Sequence, residues 1–251
     1  DAASPSNFLM TNPAALRALF ASHGESLLKG IDNLAHDLKR GQAVLAISQT
    51  DLDAFKLGQN VATTPGKVVF RNRVFELIQY APTTETVHKV PLLIFPPWIN
   101  KFYILDLQPN NSMIRWLVDR GPTVFLTSWV NPDEDMAEVG FEDYMREGIY
   151  AAVDAVTKAA DVERVNAVGY CVGGTLLTAT LAHMAKTHDP RIQSATFFAW
   201  QADFKCAGDL LVFSDEAGIK FLEDKMDHGG GVLDAQIMAD TFNALRSNDL
   251  I

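Results

Sequence analysis

Residues 165–185 read Val165-Asn166-Ala167-Val168-Gly169-Tyr170-Cys171-Val172-Gly173-Gly174-Thr175-Leu176-Leu177-Thr178-Ala179-Thr180-Leu181-Ala182-His183-Met184-Ala185. No Lys, Arg, Asp or Glu interrupts these twenty-one positions, about the length a helix needs to span a bilayer. Asn166, His183, three threonines and three glycines do interrupt them. Glycine placed at 169 and again at 173 and 174 punctuates the run, and predicts a buried strand, a tight turn and a buried helix in place of one membrane helix.

Working outward, the chain alternates between strand and helix patterns. Residues 68–80 read as two short strands around Arg71-Asn72. Residues 90–95 form a short apolar strand ended by Pro96-Pro97. A helix is predicted over 111–120, a β-branched and aromatic strand over 123–129, and a helix over 141–158 with Glu142 and Asp143 in its first turn, where the helix dipole favours negative charge. Strand 164–170, helix 174–186 and strand 194–200 follow. Such alternation predicts an α/β fold with a mostly parallel sheet covered on both faces. Residues 1–67 are read as a helical N-terminal region. Asn12 caps a helix that begins at Pro13, and Leu27, Ile31, Leu34 and Leu38 share one face of a second helix stopped by Gly41. That face packs on the domain or on a partner. Residues 68–200 hold the sheet, and residues 201–251 form an acidic, mainly helical, cap-like segment with helices over 221–226 and 236–245.

Composition narrows the function classes. The chain has 251 residues, 48% of them hydrophobic and 21% charged, so a disordered or low-complexity architecture is excluded. Twenty-one basic and 31 acidic side chains give a net charge of −10. A balance this acidic gives no sequence-wide reason to hold nucleic acid. Two cysteines, Cys171 and Cys206, make no disulfide framework and point to a reducing compartment such as the cytoplasm. The first residue is Asp1 and not Met, so an N-terminal address is left open. No cofactor is implied. Cys206 has no Cys or His at metal-ligand spacing, and no metal site is expected.

The turn Gly169-Tyr170-Cys171-Val172-Gly173-Gly174 is the pattern of a nucleophile elbow with Cys where Ser is usual. A nucleophile at a sharp strand-to-helix turn sits in a strained conformation, so its neighbours two positions away must be small. The helix that follows presents free N–H groups and the positive end of its dipole, which favour a thiolate and stabilise an oxyanion. Taken alone, the hexapeptide also fits a buried structural cysteine; the flanking strand and helix favour the nucleophile. The second oxyanion N–H of such a site comes from the loop after an earlier strand, and Pro96-Pro97-Trp98-Ile99-Asn100 lies at the expected spacing. The N–H groups of Ile99 and Val172 are the candidate oxyanion hole, against the alternative of a Pro-rich strand end around a packed Trp.

These motifs, with Glu76-Leu77-Ile78-Gln79-Tyr80, the run from Pro96 through Lys101-Phe102-Tyr103-Ile104-Leu105-Asp106-Leu107, and Ser128-Trp129-Val130-Asn131-Pro132-Asp133, resemble the polyhydroxyalkanoate synthases along essentially the whole chain. The helical N-terminal stretch resembles the long-subunit, single-chain type. The resemblance implies an α/β-hydrolase-type sheet, C-terminally incomplete here, and an acyltransferase that loads (R)-3-hydroxyacyl-CoA on Cys171 and extends a growing polyester with release of CoA. It also implies a homodimer at the surface of cytoplasmic polyester granules. The catalytic Asp and His are expected beyond Ile251, because triad order on this fold is nucleophile, acid, His. His183 and His188 read as packing or surface residues, and His228 follows a helix with no strand between. The chain is therefore expected to be inactive as a fragment. Alternatives are an esterase, depolymerase or thioesterase of the same fold, and a non-catalytic granule-associated fragment.

Overall fold

The computed structural model describes residues 4–41, 53–208 and 214–235, with Ser48, Asp51, Leu211 and Ile237. Packing divides the chain into two compact units, residues 1–54 and 55–251.

In the first unit, the Asn12 side chain accepts hydrogen bonds from the N–H groups of Ala14 and Ala15 at 2.9 and 3.3 Å and opens helix α1, Pro13–Ala21. Proline is tolerated at this start because its missing N–H would have had no helical partner. Gly24, at φ +94°, makes the turn into α2, Glu25–Arg40, and Gly41 follows it. α2 buries none of its residues, and Ile31, Leu34 and Leu38 lie along its surface.

The second unit begins with a hairpin, β1 at Gly66–Arg71 and β2 at Phe75–Tyr80. Its turn is built by Asn72, whose Oδ1 accepts from the N–H groups of Val74 and Phe75, both at 3.0 Å. Then come β3, Leu92–Phe95, and a short 3-10 helix, Phe102–Leu105. Next is a small hairpin of β4, Asp106–Gln108, and β5, Asn111–Ser112, which the pattern of residues does not announce. Ser112 caps α3, Met113–Val118, and β6 covers Val124–Trp129. The helix predicted over 141–158 is composite: α4, Phe141–Asp143, then a π-helix, Tyr144–Tyr150, then α5, Ala151–Ala160. β7 at Val165–Tyr170, α6 at Val172–Thr187 and β8 at Ile192–Phe198 complete the alternation, and α7, Glu216–His228, extends the helix expected at 221–226. The helix expected over 236–245 lies almost wholly outside the described residues.

The sheet order is β1-β2-β6-β3-β7-β8. β1, β2 and β6 pair antiparallel; β6, β3, β7 and β8 are parallel. Right-handed crossovers force a connection that moves one way along the sheet and one that moves back onto opposite faces. The two cores follow from this. Phe75, Leu77, Leu93, Phe95, Phe125, Val165 and Ala167 face Ile149, Ala152, Val153, Leu176 and Leu177 of the π-helix, α5 and α6. Their neighbours in the alternation, Tyr80, Ile94, Val124, Leu126 and Val168, face Ile114, Leu117 and Val118 of α3. Each fully buried Phe or Leu contributes about 1.5–3 kcal/mol. The Val165–Ala185 run is thus strand, turn and helix, and among the described residues no helix is long and apolar enough to cross a membrane.

The π-helix has an identifiable cause. Glu147 is held from outside its helix: its carbonyl accepts from Asn72 Nδ2 at 2.7 Å, and its carboxylate accepts from Arg73 Nε and Nη2 at 2.6 and 2.5 Å. Gly148 lies under the Trp129 ring, where a Cβ would come within 3.0 Å of it. A carbonyl diverted from the helical ladder and a ring seated on the backbone favour the wider turn.

Candidate active site at the β7–α6 turn

β7 delivers Cys171 to the carboxyl end of the parallel strands, where open α/β sheets bind ligands. Cys171 has φ +53° and ψ −125°, a left-handed conformation costly for a residue with a Cβ, and its thiol is half-buried. The surroundings hold it there. Its N–H donates to the Phe198 carbonyl at 3.2 Å, and its own carbonyl accepts from the N–H groups of Gly174 and Thr175 at 2.9 and 3.2 Å. Thr175 Oγ1 donates to the Gln201 carbonyl at 2.7 Å, and Trp200 Nε1 to Thr178 Oγ1 at 2.9 Å, so the first two turns of α6 are tied to the chain leaving β8.

The glycines are demanded by close approach. A Cβ at Gly169 would stand 2.6 Å from Gly174 Cα, and one at Gly174 would stand 2.9 Å from the Trp200 ring. At Gly173 it would stand 2.3 Å from the Phe95 carbonyl oxygen and 2.6 Å from that of Pro96. This last contact brings the end of β3 against the start of α6, so the two stretches singled out in the sequence adjoin in space.

The loop after β3 is held by side chains from elsewhere. Trp129, at the end of β6, donates Nε1–H to the Pro96 carbonyl at 2.7 Å. Lys101 Nζ donates to the Trp98 carbonyl at 3.3 Å and to Asn131 Oδ1. The Trp98 ring packs among Tyr144, Trp129 and Phe141, with centroids 4.8, 6.2 and 6.4 Å away. Its Nε1–H is buried without a partner among the described residues. Burial raises the pKa of Tyr144 and lowers that of Lys101, each disfavouring the charged form. The N–H groups of Ile99 and Val172 donate to no group among the described residues, and the Ile99 side chain is exposed. The sequence singles out Cys171, Val172 and Ile99 but gives no role to Lys101, Asn131 or Trp129. The signal was present in the two quoted runs that contain them.

None of the three histidines after the turn hydrogen-bonds to Cys171. His183 Nδ1 is 2.8 Å from the Tyr150 hydroxyl, His188 ends α6 at φ +57°, and His228 Nδ1 lies against the Asp224 carbonyl. Cys206 is exposed, and no group of three His, Cys, Asp or Glu side chains that could hold a metal occurs among the described residues.

A mostly parallel sheet in this order, with a residue in strained left-handed conformation between β7 and a helix and glycines on both sides of it, defines an α/β-hydrolase-fold protein. Residues 1–117 match the family model described as "Poly-beta-hydroxybutyrate polymerase (PhaC) N-terminus". A poly(3-hydroxyalkanoate) polymerase of Methylorubrum extorquens is 57% identical over 252 residues, covering 100% of this chain and 41% of the relative. A poly(3-hydroxyalkanoate) polymerase subunit of Rhizobium meliloti (strain 1021) is 52% identical over 251 residues, with the same two coverages. A probable hydrolytic enzyme of known structure from Pseudomonas aeruginosa PAO1 aligns at 13% identity and TM-score 0.41, over 65% of this chain and 47% of its own. The chain is similar along its whole length to poly(3-hydroxyalkanoate) polymerases and spans about two fifths of the length of the relatives it matches.

Proposed function

We propose that this chain carries the nucleophile and oxyanion hole of a polymerase that converts (R)-3-hydroxyacyl-CoA into polyester. Cys171 is the nucleophile, and the N–H groups of Val172 and Ile99 receive the oxyanion. The observation that carries the reading is the conformation of Cys171, strained at φ +53° and hemmed by three glycines at the head of α6. In the loading step, the thiolate sulfur bonds to the acyl carbon and the bond between that carbon and the CoA sulfur breaks, releasing CoA thiolate, which takes up a proton. Exchange of one thioester for another is nearly level in free energy, so the acyl group stays activated. In the transfer step, the terminal hydroxyl of the polyester bonds to that carbon, loses its proton to a general base, and frees the Cys171 sulfur. An oxoester is more stable than a thioester, and this step runs downhill. A Ser nucleophile would give up that advantage at loading.

Both steps need a base. None of His183, His188 and His228 hydrogen-bonds to Cys171, so the reading assigns the base and its acidic partner to sequence beyond Ile251. The same reading includes a homodimer working at the surface of polyester granules in the cytoplasm. The test is incubation of the full-length protein with 3-hydroxybutyryl-CoA, followed by quenching, peptide mapping and product analysis. An acyl thioester on the Cys171 peptide together with polymer is the expected result. Free hydroxy acid without polymer would make the protein a hydrolase of the same fold.

A further inference from the structure

Lys101 is a half-buried lysine that forms no ion pair with a carboxylate among the described residues. A surface lysine keeps its ammonium in water, where it is strongly hydrated. This one directs it to a backbone carbonyl, that of Trp98 at 3.3 Å, and to the side-chain oxygen of Asn131. Partial removal from water disfavours its charged form. An unpaired ammonium given up to one carbonyl in one loop asks for a purpose there.

Peptide geometry supplies it. The Trp98 carbonyl and the Ile99 N–H belong to the same peptide plane, and the described chain has no cis peptide bond. In a trans peptide these two groups point in opposite directions. A donor that fixes the carbonyl therefore fixes the N–H facing away from it. The Ile99 N–H has no acceptor among the described residues, so nothing it donates to in this structure holds its direction. Two further ties anchor the chain leading into that plane: Trp129 Nε1–H holds the Pro96 carbonyl, and the Trp98 ring is seated among Trp129, Phe141 and Tyr144. Lys101 is the one side chain hydrogen-bonded to the peptide that carries Ile99 among the described residues. Asn131, just past β6, in turn holds the ammonium.

We propose that Lys101, steadied by Asn131, is a positioning residue that aims the Ile99 N–H at the oxyanion formed when Cys171 is acylated. The proposal rests on the reading of Cys171 and Ile99 given above. It joins two runs, Trp98 to Lys101 and Trp129 to Asn131, into one device in which a side chain acts on the reaction only through a backbone amide.

The experiment compares two reactions of the same thiol in the full-length protein. Acyl loading from 3-hydroxybutyryl-CoA passes through a tetrahedral oxyanion; alkylation by iodoacetamide is a direct displacement at carbon and forms none. Lys101→Met should slow single-turnover loading of Cys171 by about 10- to 100-fold, short of the loss of a whole oxyanion donor. It should leave the alkylation rate within about twofold. Lys101→Arg, which can still donate to the Trp98 carbonyl, should restore most of the loading rate, and Asn131→Ala should lower it by less than Lys101→Met does. Equal loading by wild type and Lys101→Met would overturn the proposal. So would a parallel fall in loading and alkylation, which would make Lys101 a general support of the fold. If wild type itself carries no acyl group on the Cys171 peptide, the reading of Cys171 fails first and takes the role of Lys101 with it.

Discussion

The β7–α6 turn and the loop after β3 are held in place by different means. The turn is made by close approach: within six residues, Gly169 and Gly173 let backbone meet backbone and Gly174 admits the Trp200 ring at distances a Cβ would forbid, while the Phe198 carbonyl holds the Cys171 N–H. The loop is tertiary. Pro96 and Trp98 are each held through their carbonyls, by Trp129 and Lys101, and the Trp98 ring is boxed in by residues from β6, α4 and the π-helix. Two halves of one candidate site thus depend on different kinds of residue. Small residues with no functional group build one, and large residues with directional donors build the other.

Substitutions can break this comparison or sharpen it. The largest effect is expected from Cys171→Ala, which removes the proposed nucleophile while adding no bulk: polymer formation from 3-hydroxybutyryl-CoA should fall by more than about 1,000-fold with the melting temperature little changed. Measurable polymer at near wild-type rate would remove Cys171 from the chemistry. Gly173→Ala attacks the half built by glycines. Its methyl group would lie 2.3 Å from the Phe95 oxygen, so backbone must shift, and we expect about 3 kcal/mol of lost stability in denaturant titration together with lost loading. Trp129→Phe attacks the tertiary half. The ring stays but the bond to the Pro96 carbonyl goes, at a cost of about 1–2 kcal/mol, and loading should slow more than the modest stability loss implies. A melting temperature that falls as far as for Gly173→Ala would dissolve the distinction between the halves.

The smallest effect concerns a side-chain tie remote from the chemistry. Asp189 accepts from Arg191 at 2.9, 3.0 and 2.6 Å, and Arg191 also reaches Asp154 of α5. The Arg191 guanidinium, helped by the Arg191 N–H, holds the Asp189 carboxyl below the usual carboxylate range. A lowered folded pKa gives stability that is full above the unfolded value of about 4 and fades as pH falls through the folded one. Wild type should therefore melt above Asp189→Asn at pH 7, and the gap should close below about pH 4 in melts run across pH. Loading of Cys171 should be unaffected in both.

Much of the fold was legible because one side-chain alternation decides both strand and face. The hairpin around Asn72, strands β3, β6, β7 and β8 and helix α6 fall within a few residues of where period and glycine placement put them. The residue pattern gives the composite helix at 141–160 no break, since a π turn keeps the same apolar stripe and its cause, Glu147 drawn toward Asn72 and Arg73, is 74 or 75 residues away in sequence. β4 and β5 are too short, at three and two residues, for alternation to register. Asp106, which anchors them, accepts from Thr64 Oγ1 at 2.6 Å and Ser112 Oγ at 2.5 Å while almost fully buried. Beside it, burial first and then the Asp106 charge hold the Tyr80 phenol well above its ordinary pKa. A lone Asp in an apolar run gives no hint of which hydroxyls will find it.

The sequence by itself determined the sheet, its two buried faces and the strained Cys171 turn, because period-two burial and the absence of a Cβ are properties of neighbouring residues. Only the tertiary structure decided what holds the loop opposite. A lysine, an asparagine and a tryptophan donate or accept alike anywhere on a surface. Their meaning here comes from strand order, which sets the end of β6 beside the end of β3 and lets Lys101 and Asn131, thirty residues apart, hold the peptide that carries Ile99.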